Sequence, residues 1–552
     1  MDQFEITTPN SSAEWWRGCV IYQVYPRSYQ DANGDGIGDL AGIRQRLPYI
    51  ASLGVDALWI SPFFKSPMKD NGYDISDYRE IDPLFGSLKD FDLLLGEAHE
   101  FGLKVMIDLV LNHSSDQHPW FIESRRNRDN DKADWYVWAD AKLDGTPPNN
   151  WLSVFGGSAW QWDTRRQQYY LHNFLASQPD FNFHCPALQD ALLNLTRFWL
   201  EKGVDGFRLD TINFYVHDAK LRDNPALEID QRNDSIAPSV NPYNYQNHLY
   251  SKNRPENLYF LKRFRSLLDE FEGRACLGEV GDAQRGLEIL GQYTEGNERA
   301  HMCYTFELLQ PHPVTPSFIR QVFERLDIVA KNGWPCWAYS NHDVMRHASR
   351  WKLSDAALKL HATLLMCLYG SACIYQGEEL GLEEAEVDFE DLHDPYGIEF
   401  WPEFKGRDGC HTPMVWEKTS VNAGFSLAKP WLPVCSDQQQ RAVSEQEHAP
   451  ESLLNHYRLV IWLRHQHAAL AAGDMKILKS EGAILGFLRR TDEETLYCVF
   501  NLSDETVDTS LPAGDWSDIG DEVGGAPIPE DGSLRLDAWQ CAIVRKRGIQ
   551  NG

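Results

Sequence analysis

The sequence predicts an α/β protein: a (β/α)8 TIM barrel with a subdomain inserted after the third strand and an antiparallel β-domain at the C-terminus. Three observations lead there. Amphipathic segments ending in glycine are repeatedly followed by short apolar runs, the pattern of parallel strands joined by right-handed helical crossovers. Eight such runs can be counted along the chain. Asp210 in GFRLDTIN, Glu279 in ACLGEVGD and Asp343 in WAYSNHD stand where three of those runs stop. Barrel proteins assemble sites from the ends of several strands in this way.

Taken in order, the first strand is Cys19–Pro26. Ile43, Leu47, Ile50 and Leu53 then fall on one helical stripe, Gly54 follows, and VDALWISP gives the second strand, Val55–Pro62. Asp90 to Phe101 repeats the amphipathic pattern, with Gly102 and the strand Lys104–Val110 behind it. Leu188 to Leu200 repeats it again before Gly203 and the strand Gly206–Thr211. A glycine just past a helix accepts the left-handed cap conformation. The remaining strands are Ala275–Val280, Met302–Leu308, Cys336–Asp343 and Ala372–Glu379. An open doubly wound sheet is the alternative, but no Gly-rich phosphate loop follows an early strand, so dinucleotide binding has no support.

The domain reading is residues 1–113 for the first part of the barrel, 114–180 for the inserted subdomain at its mouth, 181–474 for the rest of the barrel and 475–552 for the β-domain. The insertion is polar and rich in Asn, Asp, Trp and Gly, and a loop of that length has a function more often than not. A second irregular stretch, about 383–433, carries many Pro and Trp and is read as another wall of a pocket. From Met475 onward short alternating segments such as GAILGFLRR and ETLYCVFNL are joined by Gly, Asp and Pro turns, which reads as antiparallel sheet with a packing role.

Composition narrows the function. The chain has 552 residues, 43% of them apolar and 24% charged, so a large core and little disorder are expected. The net charge of -29 disfavours nucleic acid and anionic membranes as partners, because phosphate is repelled, while a neutral substrate is indifferent to it. The charge serves solubility or adaptation to salt. Aromatic residues make up 12%, which suits sugar stacking and core packing equally. The 11 cysteines form no CxxC pair and mostly lie in apolar runs, so reduced core residues are expected. MDQFEITTPNSS has neither a basic start nor an apolar stretch, and no apolar run reaches membrane-spanning length. A cytoplasmic location is the expectation.

The acids suggest chemistry. Arg208 lies two residues before Asp210, on the same face of its strand, where its charge would keep Asp210 ionised at neutral pH. Glu279 ends a very apolar strand, and desolvation there raises a carboxyl pKa toward that of a proton donor. Two facing carboxyls are what glycoside cleavage needs.

Longer motifs carry a resemblance. The chain resembles the α-amylase superfamily of glycoside hydrolases, and within it the α-glucosidase and oligo-1,6-glucosidase branch. The match rests on DLVLNH (108–113), QPDFNF (178–183), GFRLD (206–210), GEV (278–280) and SNHD (340–343), supported by DNGYDISDY (70–78), QGEELG (376–381) and GRDGCHTPM (406–414). The resemblance implies Asp210 as nucleophile, Glu279 as acid and then base, and Asp343 as a holder of sugar hydroxyls that tightens as the ring flattens. It implies His113 and His342 as further hydroxyl ligands, Asp70 and Tyr73 as clamp and stacking platform, and Arg407 as the partner of Asp70. Phe155, Phe174 and Gln178 are expected to line the site. A retaining enzyme holds its two carboxyls roughly 5–5.5 Å apart.

Two positions qualify the resemblance. Many relatives carry arginine where this chain has His411, so no arginine contact is transferred there. Thr211 follows the nucleophile; relatives that cut α-1,6 links often have valine, and those preferring α-1,4 links often have threonine or alanine, which tilts the expectation toward maltose-type substrates. DANGDGIGD offers Asp31, Asn33, Asp35 and Asp39 with the Ile37 carbonyl, a run of oxygen donors among glycines resembling a calcium loop. The expectation is one structural Ca2+ or Mg2+ and no cofactor for the chemistry. The expected activity is exo-acting, retaining release of terminal glucose from short α-glucosides, maltose-type first and sucrose as an alternative substrate. Transglucosylation, α-1,6 specificity and sucrose isomerisation are the neighbouring readings. A non-catalytic transporter subunit or a sugar-binding module fits poorly, since all three acids are kept.

Overall fold

A computed structural model of the chain describes residues 14–520, 523, 525–528 and 532–547. The N-terminal segment on which the reading of location rests lies outside the described residues. Eight parallel strands form one sheet: β1 Val20–Val24, β2 Ala57–Ile60, β3 Lys104–Leu109, β4 Gly206–Leu209, β5 Ala275–Val280, β6 Met302–Thr305, β7 Cys336–Ala338 and β8 Ser371–Tyr375. Their order is β6-β5-β4-β3-β2-β1-β8-β7. A parallel bridge from Cys303 to Pro335 joins the last strand to the first, so the sheet closes into a barrel and the open alternative is set aside.

Alternation along the strands decides what faces inward. Val105, Ile107, Phe207, Leu209, Cys276 and Cys303 pack outward against the helices. Met106, Ala275, Leu277, Met302, Tyr304 and Cys336 fill the interior with Trp59 and Ile21. Period-two geometry then sends Asp108, Arg208, Asp210 and Glu279 inward at the carboxyl ends of the same strands. Asp108 stands beside Arg208 and Leu277 beside Arg208 in the parallel register. The inward face is therefore apolar at the bottom and charged at the mouth.

The helices follow the expected stripes, with one change. Leu88–Glu100 and Pro186–Glu201 are continuous, and Gly102 and Gly203 behind them adopt φ of 77° and 100°. The stripe from Ile43 to Leu53 is two short helices, Leu40–Gln45 and Leu47–Ser52, because Pro48 removes an amide and starts a new first turn. The seventh strand ends at Ala338, well short of Asp343, which sits on a loop instead.

The insertion holds a three-stranded antiparallel sheet, with Gln168–Leu171 between Trp138–Ala139 and Trp160–Asp163, over a small core of Val137, Trp151, Trp160 and Leu171. A bridge from His113 to Asp180 ties it to the end of β3. The stretch 383–433 is loop with short helical turns at Phe389–Asp391, Pro395–Phe400, Asp408–Cys410 and Val421–Gly424. A further excursion between the turn Ile212–Phe214 and the helix Asn257–Leu268 is loop with two short helical turns, Ile229–Gln231 and Pro242–Tyr245.

The C-terminal strands β9 Asp474–Glu481, β10 Ile484–Arg490, β11 Thr495–Asn501, β12 Trp516–Asp518 and β13 Cys541–Lys546 make an antiparallel sheet in the order β9-β10-β11-β13-β12. Arg489, fully buried, donates to the carbonyls of Cys367, Leu368 and Gly473, which docks this sheet on the barrel. All 11 cysteines are unpaired. No helix among the described residues is long and apolar enough to cross a membrane.

Candidate active site

Two buried arginines organise the mouth of the barrel, each set against three carboxylates. Arg208, at the end of β4, has no exposed surface and reaches Asp108 at 2.8 Å, Asp210 at 2.5 Å and Glu279 at 2.8 Å. Its second amino group also donates to the Tyr304 hydroxyl at 2.8 Å, and that hydroxyl donates to Glu279 at 2.8 Å. Arg407, on the loop before Asp408–Cys410, reaches Asp70 at 2.8 Å, Asp343 at 3.1 Å and Asp394 at 2.8 Å. Planar guanidinium forks suit this work, because five donors in a fixed plane can serve several carboxylates at once.

A chain of contacts joins the two hubs. Tyr73 donates to Asp108 at 3.1 Å, bonds the Nε2 of His342 and stacks on its ring at 5.4 Å. His342 lies 3.3 Å from Asp343, which meets Arg407. On the other side Gln178 donates to Asp70 at 2.9 Å and contacts His113 at 3.2 Å. His113 packs on Phe174, Phe174 on Phe155, and the Arg407 guanidinium lies 5.3 Å over the Phe155 ring. Thr211 ties the remaining pair together: its amide donates to Glu279 at 3.0 Å and its hydroxyl to Asp210 at 3.3 Å. All thirteen residues expected around the site thus fall in one connected network drawn from strand ends, insertion and the 383–433 stretch.

Thr211 has φ 41° and ψ 45°. A β-branched residue in the left-handed region is strained, a cost of order 1–3 kcal/mol that concentrates at functional sites. The conformation turns its amide toward Glu279 while the preceding residue, Asp210, points into the mouth.

Burial and the two arginines set the electrostatics. Burial pushes Asp210 up to about 7 and Glu279 up to about 7, with Arg208 opposing the rise in both. The expectation that Arg208 keeps Asp210 ionised at neutral pH is therefore corrected. The guanidinium is shared three ways, and its pull does not cancel desolvation. Like charges this close retain protons as a pair. Asp343 goes the other way: burial opposes its charge, but beside His342 and Arg407 it is held down at about 2. His113 and His342 are both driven down to about 3 by burial, so they are neutral and act as hydrogen-bonding groups. Such an arrangement offers a carboxylate, a nearby carboxylic acid and a ring of polar groups suited to a neutral, hydroxyl-rich ligand.

Three participants carry no role in the sequence reading. Asp108 stands one residue before the end of KVMIDL and Asp210 one residue past the end of GFRL, a signal present but absorbed into a motif. Tyr304 belongs to an apolar run where its hydroxyl gives no sign. Asp394 is the most tightly bound partner of Arg407: it accepts from the Arg407 backbone amide at 2.7 Å and from two of its three side-chain nitrogens, Nε at 3.1 Å and Nη2 at 2.8 Å, yet it lies in a stretch without periodicity. His411 is buried, stacks on Tyr25 at 4.4 Å and donates to the His342 carbonyl at 2.6 Å. It supports the site from behind.

The Asp31–Asp39 loop stands apart from this network. Asp31 accepts from the amides of Gly34 and Gly36 at 2.7 and 2.8 Å, Asn33 from Asp35 at 2.9 Å, Asp35 from Ile37 at 2.8 Å and Asp39 from Gly42 at 2.6 Å. Among the described residues no group of three or more His, Cys, Asp or Glu is placed to hold a metal ion. The loop's donors are all oxygen, the type that hard cations choose.

Comparison with known proteins gives one consistent answer. Residues 23–473 match the α-amylase catalytic domain and residues 475–543 the maltogenic amylase C-terminal domain. A probable α-glucosidase of Rhizobium meliloti (strain 1021) is 63% identical over 538 residues, 96% of this chain and 97% of that protein. An oligo-1,6-glucosidase of Heyndrickxia coagulans is 38% identical over 544 residues, 91% of this chain and 95% of that protein. Among solved structures, an α-glucosyl transfer enzyme, XgtA, superposes with a TM-score of 0.94 at 53% identity, over 97% of this chain and 99% of that one. The trehalulose synthase MutB from Pseudomonas mesoacidophila MX-45 gives 0.85 at 34% identity, over 97% of this chain and 99% of that one.

Proposed function

The chain belongs to the α-amylase family of glycoside hydrolases, and on that premise we propose that it is an exo-acting, retaining α-glucosidase of short α-glucosides. Asp210 attacks the anomeric carbon and forms a glucosyl ester while Glu279 gives its proton to the departing oxygen. Glu279 then takes a proton from water, which releases glucose with its configuration kept. Asp343, His113 and His342 hold hydroxyls of the glucose, and Tyr73 is its stacking platform. The observation that carries this reading is the Asp70–Arg407 pair at 2.8 Å. With Gln178, Phe155 and Phe174 it forms a wall at the end of the sugar site, which suits a terminal residue and blocks a longer chain.

Thr211 favours α-1,4 links, although one methyl-for-hydroxyl exchange discriminates only modestly. The ester can also be captured by a sugar hydroxyl in place of water, and the likeness to a glucosyl transfer enzyme supports that second outcome. The test is product identification from concentrated maltose, isomaltose, sucrose and trehalose. Glucose released first as the α-anomer, fastest from maltose and joined by new oligosaccharides, is expected. Glucose released first as the β-anomer would overturn the mechanism, and sucrose turned over only to isomers would replace the activity.

The Asp31–Asp39 loop is the proposed seat of one structural Ca2+ or Mg2+, held by Asp31, Asn33, Asp35, Asp39 and the Ile37 carbonyl. The cation would neutralise carboxylates and fix the loop; the hydrolysis itself runs on carboxyl groups. Millimolar Ca2+ or Mg2+ is expected to raise the Tm by a few degrees over EDTA-treated protein, as a ligand that binds only the folded chain does. Equal melting curves in both would remove the cation. A cytoplasmic location is supported by the unpaired cysteines, and the absence of nucleic-acid or membrane partners by the net charge of -29.

A further inference from the structure

The turn after the nucleophile does a second job. Asn213, fully buried, places its side-chain amide against the backbone of Gly281. Its oxygen accepts from the Gly281 amide at 3.1 Å and its nitrogen donates to the Gly281 carbonyl at 3.1 Å. That is a two-way bond of the kind one strand makes with another. The same carbonyl accepts a second bond, at 2.7 Å, from the ammonium of Lys252. Lys252 is buried, lies 4.7 Å from the Phe214 ring centre and 5.4 Å from that of Tyr243, and its nearest carboxylate is Asp282 at 3.9 Å. Asn253 completes the knot: its oxygen accepts from Asn213 at 2.7 Å and its amide nitrogen donates to Asp282 at 2.5 Å.

The placement gives the knot a purpose. Gly281 is two residues beyond Glu279, just past the end of β5, where ladder hydrogen bonds no longer fix the backbone. Asn213 is three residues beyond Asp210. One short turn therefore sends the Thr211 amide to the Glu279 carboxylate and the Asn213 side-chain amide to the backbone two residues beyond it. A buried lysine beside a single distant carboxylate is costly to retain, and the carbonyl it caps is that of Gly281.

We propose that Asn213 and Lys252 are positioning residues: by clamping Gly281 they hold the acid Glu279 at the right distance and angle to the carboxylate of Asp210. They act through Glu279 on the departing group. The proposal rests on the reading of Glu279 as acid, and the test separates the two.

The discriminating variable is how much the leaving group needs a proton. Maltose expels its second glucose as a sugar alkoxide and depends on the acid; 2,4-dinitrophenyl α-glucoside expels a stable phenolate and does not. Misplacing a catalytic group by about 1 Å costs on the order of 10²-fold. Asn213→Ala is therefore expected to lower kcat/KM on maltose by on the order of 10²-fold, and on the dinitrophenyl glucoside by less than about threefold. Lys252→Met removes one of the two bonds on the carbonyl; its loss is expected to be about tenfold, equally confined to maltose, and it carries the test if Asn213→Ala does not fold. Equal losses on the two substrates, or no loss on either, would overturn the clamp. Glu279→Gln run alongside reports on the acid itself: if kcat/KM of that variant also falls equally on both substrates, the assignment of Glu279 fails, and not merely the clamp.

Discussion

Replacing Asp210 by asparagine is expected to lower kcat/KM on maltose by on the order of 10⁴- to 10⁶-fold, the scale seen when a covalent nucleophile is removed. An amide cannot form the ester, yet it is nearly the same size, and Asp70, Asp343 and Arg407 are untouched, so maltose binding should survive. A smaller variant, Asp210→Gly, leaves room for an external anion. With azide and an activated α-glucoside it should yield β-glucosyl azide, because the anion attacks from the face that the carboxylate vacated. Formation of α-glucosyl azide would place residue 210 on the other side of the sugar and exchange its role with that of Glu279.

The same substitution has a stability signature. Burial raises the pKa of Asp210 from 3.8 to about 7, so the folded chain binds this proton more tightly than the unfolded one. Its contribution to stability is complete below about pH 4 and is lost as pH rises through about 7. Asparagine carries no such charge. Asp210→Asn should therefore be more stable than the parent at pH 8, by about 1–3 kcal/mol once the lost Arg208 bond is allowed for, and the advantage should vanish toward pH 5. Thermal unfolding at the two pH values reads this directly. A difference that does not change with pH would mean that desolvation is not what the site imposes on Asp210.

Much of this arrangement is legible along the chain because its causes are local. A strand that must be buried on both faces reads as a continuous apolar run, and each such run except β1 follows a helical stripe or turn. The alternation that fills the interior with Ala275 and Leu277 also dictates that Glu279 points inward. What is not legible is set by distances that order in sequence does not encode. Asp108 and Arg208 lie one hundred positions apart and meet because β3 and β4 are neighbours in register. Asp394 has no periodic surroundings, and only the fold brings it to Arg407. Resemblance alone paired Asp70 with Arg407 across the whole barrel. The error over the charge of Asp210 has the same root. Sequence shows the arginine two positions away, but not that Asp108 and Glu279 share it.

That sharing makes Arg208 the other position of large effect. Arg208→Met keeps the length of the side chain and its packing beside Trp59 and Tyr73, but leaves Asp108, Asp210 and Glu279 without the guanidinium that faces all three. Breaking a buried pair by removing one partner costs about 3–5 kcal/mol, and the variant should lose about that much at pH 7. The loss should shrink toward pH 5. Without the cation the three carboxyls have still higher pKa values in the folded state, so they are protonated and uncharged over a wider range, and the folded form loses its stability only as pH rises through those values. Activity should fall by on the order of 10³-fold at pH 7, the scale of losing a preorganised electrostatic group. More tellingly, the acid limb of the kcat/KM profile should move upward, because Asp210 must lose its proton before it can attack and now does so less readily. Arg208→Lys should recover more stability than rate. An ammonium restores a charge, but as a single point it cannot fork among three carboxylates. A variant of Arg208 that melts early yet keeps both limbs of the parent profile would reduce the residue to scaffold. The pKa values of the acid pair would then have to be set by burial and by each other alone.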